Sequence, residues 1–397
     1  MTTAIIITIS TLILIAYIFD ITSSKTKIPS VILLLLLGWI VRQISISTGF
    51  YLPSLTPVLP ILGTIGLILI VLEGSLELEL NSTKLRAVKK SFMVALWPML
   101  ILAGTTTFAL VYWGGTSTKN TLLCVIPLCV ISSAIAIPSV KNLANTQKEF
   151  IIYESSLSDI LGVVFFNFVA FNETFGLGSF IHFVGQLIAI ILISFIATGG
   201  LSYLLSKIDH SIKFAPIILL VILIYNVSKI YHLPALIFIL IFGLFLGNLD
   251  EIQRFGWIEK LKTSILDREV AKFKEIVVEA TFVIRVLFFL LFGYLMETAE
   301  ILNSDTFIWA LVIVIGIFGI RAFILKLYRI SLLPFVYVAP RGLITILLFL
   351  SIPDSQLIPL VNKSLIIQII ILTALIMMLG LIFTKKSDDN LEHPFAH

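Results

Sequence analysis

The stretch Glu154-Ser155-Ser156-Leu157-Ser158-Asp159-Ile160-Leu161-Gly162 leads into an apolar run, Ile160 to Ala170, that needs a bilayer around it. A charge at the centre of a membrane helix costs roughly 3 kcal/mol on insertion scales, so a chain that keeps two carboxylates there is using them. On a helix, Ser155 and Asp159 share one face, flanked by Gly162, while Glu154 and Ser158 share the neighbouring face. The first face can offer oxygens to a cation and the second can take a structural partner. The plainer alternative is that membrane arginines hold both carboxylates for packing alone.

Working outward, the 397 residues are 59% hydrophobic and only 13% charged, with a mean hydropathy of +1.11. A soluble domain is about one quarter charged, so this composition is that of a membrane protein with many spans. The net charge of +4 is spread over short loops and gives no reason to expect a nucleic-acid partner. Ala4 to Ile21 lacks a basic start and is long enough to span, so it reads as a retained first helix. Cys124 and Cys129, five apart, point in different directions and suit packing better than a disulfide or metal pair. The histidines fall in loops, at span ends or in the tail, without metal-ligand spacing.

Apolar runs of about 20 residues predict spans near 4–22, 28–46, 57–76, 91–113, 120–140, 150–170, 180–206, 214–228, 233–248, 277–296, 307–326, 332–351 and 361–384. The expected fold is therefore an all-α polytopic protein forming one membrane domain over 1–384, with a short polar tail at 385–397. Of the 27 basic residues, 20 fall in the odd-numbered connections and the tail. Four, Arg42, Lys119, Lys229 and Lys363, fall in the even ones. By the positive-inside rule the N-terminus lies outside and the C-terminus in the cytoplasm, in a cell (inner) membrane. The last three, Arg285, Arg321 and Arg341, fall inside spans and are candidates for function.

An odd number of spans permits an inverted repeat, with halves of about 1–170 and 214–384 joined by a linker helix at about 180–206. Span 5 contains Ser132-Ser133-Ala134-Ile135-Ala136-Ile137-Pro138, and span 12 contains Val338-Ala339-Pro340-Arg341-Gly342. These helix-interrupting stretches occupy equivalent positions in the two halves. Unwound helices crossing near the midplane would expose backbone carbonyls and half-helix ends to an ion. The one long connection, 249–276, spaces apolar residues three to four apart among charges and predicts an amphipathic helix on the membrane surface.

The residues now look familiar. Glu154-Ser155-Ser156-Leu157-Ser158-Asp159 resembles the Glu-Ser-Leu-Leu-Asn-Asp signature of the monovalent cation/proton antiporter superfamily, in its sodium/proton exchanger branch, bacterial NhaP-like or related. Ser158-Asp159-Ile160-Leu161-Gly162 also resembles the Asp-Asp-Ile-Leu-Gly of the superfamily's other large branch. Ala339-Pro340-Arg341-Gly342-Leu343 is similar to the Gly-Pro-Arg-Gly-Leu of the second broken helix. Thr281-Phe282-Val283-Ile284-Arg285 is similar to the tenth span, and Leu72-Glu73-Gly74-Ser75-Leu76-Glu77-Leu78 to the third.

The resemblance implies that Asp159 binds either cation or proton, with Ser155 a hydroxyl ligand one turn earlier. It implies that Glu154 pairs with Arg321, and that Arg341 meets the residue before the aspartate. That residue is an asparagine in the family and the shorter Ser158 here. Where the family often has Thr-Asp-Pro on the first broken helix, this chain has Ser132-Ser133-Ala134; Ser132 and Ser133 are expected to supply oxygens. Arg285 is an electrostatic support. Glu73 is either an outer ligand or a second proton carrier, or else it is solvated beside Glu77 and Glu79. A homodimer is expected.

The expected reaction is exchange of a monovalent cation (Na+, with Li+ or K+ as alternatives) for H+, serving pH homeostasis, with no cofactor and no enzymatic step. Proton and cation compete for one oxygen site, and a single titrating carboxylate gives electroneutral exchange. The runner-up is a sodium-coupled organic-anion symporter of the same architecture, which would need a roomier cavity. A membrane enzyme is disfavoured by the lack of a Gly-x-Ser-x-Gly motif or serine–lysine dyad, and a channel by the paired breaks.

Overall fold

A computed structural model describes residues 2–26, 28–49, 55–78, 84–172, 176–207, 213–231, 233–249 and 263–383. The predicted tail 385–397, Glu79 and the 250–262 part of the long connection lie outside the described residues. Every regular element described is helical. In chain order they are α1 Thr2–Thr26, α2 Ser30–Thr48, α3 Val58–Glu77, α4 Leu85–Gly114, α5 Thr118–Cys129, α6 Ser133–Ser139, α7 Asn145–Phe171 and α8 Leu177–Lys207. There follow α9 Phe214–Ile230, α10 Leu236–Gly247, α11 Thr263–Leu295, α12 Thr298–Ile301, α13 Ser304–Leu327, α14 Leu343–Leu350 and α15 Lys363–Phe383. Among the described residues nine helical segments are long and apolar enough to cross a membrane, and shorter apolar helices cover Ile7–Ser23, Phe214–Ile230 and Leu236–Gly247. The chain is a multi-pass membrane protein.

The helices form two packed groups. In the first, α2 and α3 lie on α11, and α10 lies on α3 and α8. A side chain at Gly38 would stand 2.2 Å from the Leu290 carbonyl oxygen and one at Gly293 2.3 Å from that of Leu35. Backbone therefore meets backbone between α2 and α11, the close approach that small residues allow in membranes. In the second group, α4 lies on α5, α7 and α13, and α13 on α15. The groups meet where α3 runs past α6, α7 and α14.

Both predicted breaks occur, and they occur at this junction. Pro127 inside α5 supplies no amide to the helical ladder, and β-branched Val130 and Ile131 follow as the chain extends through Ser132 before α6 begins. In the other half, residues 333–337 turn and 338–342 are extended before α14; Pro340 keeps Ala339 out of the helical region. The Ser132 amide donates to the Pro340 carbonyl at 2.9 Å, so the two unwound strands cross in contact.

Of the 249–276 connection, residues 263–276 are described beyond Leu249. From Thr263 onward the chain is one unbroken helix with the tenth span. Leu266 and Phe273 are fully buried, Phe273 against the rings of Phe214 and Phe242, and Lys213 Nζ lies 2.6 Å from Glu269 Oε2. Of the predicted apolar positions whose side chains are described, Phe273 is buried against protein, while Ile276 is exposed.

Candidate functional site

Asp159 stands 14 residues into the 27-residue α7, about 21 Å from its start at 1.5 Å per residue. It is 1% exposed and aimed at the start of α6. The Ser133 hydroxyl donates a short hydrogen bond to its Oδ2, and the Ser133 amide points at the same oxygen from 3.4 Å. Oδ1 is buried and has no hydrogen-bond partner among the described residues, and neither has the hydroxyl of Ser132. No Lys, Arg or His forms an ion pair with Asp159 among the described residues.

Glu154, just over a turn earlier, is in the opposite situation. Arg321 of α13 grips it with both ends of the guanidinium, Nη2 to Oε2 at 2.9 Å and a still shorter bond from Nη1 to Oε1. Arg321 Nε donates to the Phe335 carbonyl at 2.8 Å in the second broken segment. This bidentate geometry is the strong form of the interaction, and both residues are 1% exposed. One helix thus carries a carboxylate that is fully neutralised and another that is not.

Ser155 does not hydrogen-bond to Asp159. Its hydroxyl donates to the Ile151 carbonyl of its own helix at 2.7 Å, which uses the proton and leaves the oxygen lone pairs. Ser158 and Arg341, the other expected pair, share no hydrogen bond. The Ser158 hydroxyl accepts the Ile131 amide of the unwound strand at 2.9 Å. Arg341 instead donates from Nε to the Leu128 carbonyl at 2.6 Å and from Nη1 to the Ala339 carbonyl at 2.8 Å. With Ser158 too short to reach, the guanidinium serves the last turn of α5, where orphan carbonyls carry the negative end of the helix dipole. A cation there compensates the C-terminal end of that half-helix; it is opposite in sign to the aspartate missing from 132–134 and does not replace it.

Glu73 is half-buried on α3, within hydrogen-bond reach of Thr281 and within electrostatic reach of Arg285, Glu77 and Lys141. It faces the junction of the two groups instead of being freely solvated. Arg285 is 9% exposed on α11. Gly162 completes the packing. A side chain there would stand 2.3 Å from Val130 Cγ2, so α7 presses directly on the unwound strand. Gly162→Ala is expected to push that strand away from α7 and to cost about 1–3 kcal/mol of stability, a shift that thermal unfolding of the purified protein would register. An unchanged thermal midpoint would mean that the strand accommodates a side chain there.

Several contributors had no signal in the sequence. The carbonyls of Leu128 and Pro340 and the amides of Ile131 and Ser133 are main-chain groups, and Thr373, which accepts the Arg341 amide at 3.1 Å, is a single hydroxyl in an apolar run. Among the described residues no three His, Cys, Asp or Glu side chains converge as a metal cluster. The donor set at the crossing is one carboxylate with hydroxyl and carbonyl oxygens, which is chemistry for a hard cation.

Solved structures share this fold. The chain is similar to the sodium proton antiporter MjNhaP1 from Methanocaldococcus jannaschii at pH 8, with TM-score 0.66 and 20% identity over 96% of each chain. An electron-microscopy map of that antiporter gives TM-score 0.67 and 20% identity over 96% of this chain and 95% of the other. No curated protein matches the sequence significantly. The model of the family described as sodium/hydrogen exchanger, transmembrane, matches residues 9–385, and the chain belongs to that family.

Proposed function

We propose that this protein exchanges Na+ for H+ one for one, and that both compete for Asp159. The observation that carries this reading is the contrast on α7. Glu154 has its arginine, whereas Asp159 is buried with one oxygen unpartnered and no basic side chain paired with it among the described residues. A bare carboxylate in such a place is costly, and either a proton or a cation removes the cost. Both need the same oxygens, so each displaces the other. Na+ would be held by Asp159, Ser132, Ser133 and the lone pairs of Ser155, with Glu73 as an outer ligand; Li+ and K+ are the competitors to test against it.

Exchange is obligatory if the site changes sides only when loaded. Glu154–Arg321 is buried within the second group, whereas Lys141–Asp20 at 3.1 Å, which links α1 to the segment after α6, is partly exposed and of a kind worth about 0–1 kcal/mol, a tie that a movement between the groups can break at small cost. In this reading the protein lies in the cell membrane as a homodimer, with its N-terminus outside and C-terminus in the cytoplasm, and needs no cofactor.

Proteoliposomes carrying a pH dye test it. Added Na+ is expected to move protons at a rate that does not depend on an imposed potassium–valinomycin potential, once K+ is known not to be a substrate. A rate rising steeply with potential, together with net charge movement, would overturn the one-for-one reading and make Glu73 the residue to mutate. Absence of any cation-driven dye response would overturn exchange itself.

A further inference from the structure

The two unwound strands are held in the same way. In the first half, the Ser158 hydroxyl of α7, the helix after the broken span, accepts the Ile131 amide at 2.9 Å. In the second half, the Thr373 hydroxyl of α15, again the helix after the broken span, accepts the Arg341 amide at 3.1 Å. Ser158 and Thr373 are both 0% exposed. They lie in corresponding spans of the inverted repeat. Thr373 also donates to the Ile369 carbonyl at 2.8 Å. That bond fixes its proton and leaves a lone pair for Arg341.

The Arg341 amide and the Pro340 carbonyl belong to one peptide group, which is planar and, when trans, points its N–H and C=O in opposite directions. Thr373 holds the N–H edge, and the Ser132 amide holds the C=O edge at 2.9 Å. The residue after Ser132 is Ser133, whose hydroxyl and amide both address Asp159 Oδ2. A continuous line of contacts therefore runs from α15 through one rigid peptide plane to the carboxylate. We infer that Thr373 is a positioning residue for the exchange reaction, setting where the crossing places Ser132 and Ser133 against Asp159. The inference rests on the reading of Asp159 as the exchange site.

Thr373→Val keeps the shape but offers no acceptor, and leaves a buried N–H unsatisfied. It is expected to raise the Na+ concentration for half-maximal exchange about tenfold, with a much smaller change in maximal rate. Thr373→Ser is expected to stay within about twofold of the parent. Thr306→Val serves as the control for a merely structural effect. It breaks a buried bond of 2.9 Å to Gln368 on the same helix, away from the crossing, and is expected to lower thermal stability without moving half-saturation. Hydrogen exchange at the amides of residues 341 and 342 reads the strand itself, whatever the ion does, and is expected to quicken in Thr373→Val. Should the valine variant fail to insert, Thr373→Ala carries the same readouts.

Unchanged hydrogen exchange in the valine variant would overturn the inference, as would unchanged half-saturation or a serine variant as impaired as the valine one. Loss of the Asp159 reading would appear separately, as Na+-driven exchange surviving Asp159→Asn.

Discussion

Asp159→Asn is expected to abolish cation-driven proton movement in proteoliposomes while the protein inserts and folds. Asparagine has the same shape, and its carbonyl oxygen can still accept from Ser133, so the crossing at 130–133 is preserved. What disappears is the charge that either ion must neutralise. The substitution also removes an unpaired buried carboxylate, so the thermal midpoint is expected to hold or rise. Dye response and thermal unfolding on one preparation separate the two effects. A near-normal response from a folded Asp159→Asn protein would sink the mechanism.

Glu154→Gln is expected to do the reverse, damaging stability far more than ion affinity. Removing one partner of a buried ion pair commonly costs about 3–5 kcal/mol, because the other charge is left without compensation. Arg321 would keep its bond to the Phe335 carbonyl but lose its carboxylate, loosening the contact between α7, α13 and the 333–337 turn. Combining Glu154→Gln with Arg321→Gln should recover part of the loss, since removing a whole buried pair is far cheaper than halving it. A Glu154→Gln protein with the parental thermal midpoint and no exchange would instead make Glu154 the carrier.

Much of this architecture was legible in the chain because a bilayer imposes simple rules. Apolar runs gave the spans, and the matched Ser132–Pro138 and Val338–Gly342 interruptions gave the crossing. Threading the basic residues isolated Arg321 and Arg341 as span-embedded charges. What stayed hidden depends on where long or small side chains end up in three dimensions. Arg341 can reach several carbonyls, and nothing in its neighbours selects Leu128 over Ser158. The Ser155 hydroxyl can serve its own helix or the next residue's ligand, and spacing does not distinguish them. The spacing that includes Phe273 and Ile276 has the period of an amphipathic helix whether it faces lipid headgroups or, as Phe273 does, the rings of Phe214 and Phe242.

The crossing itself is written largely in main-chain atoms. The Ser132 amide meets the Pro340 carbonyl, and the Leu128 and Phe335 carbonyls receive the two arginines. A bond to a carbonyl asks nothing of the side chain that the residue bears. Sequence drift at positions such as Ile131 or Ala339 leaves these bonds in place as long as the backbone has room. Gly342 has none to spare: a side chain there would lie 2.6 Å from Ile135 Cδ1 and 2.8 Å from the Ser132 hydroxyl. The centre of the molecule therefore combines wide latitude in residue identity with a few positions of almost none. A fold held in this way can keep its shape while four residues in five differ from those of a structural neighbour at 20% identity.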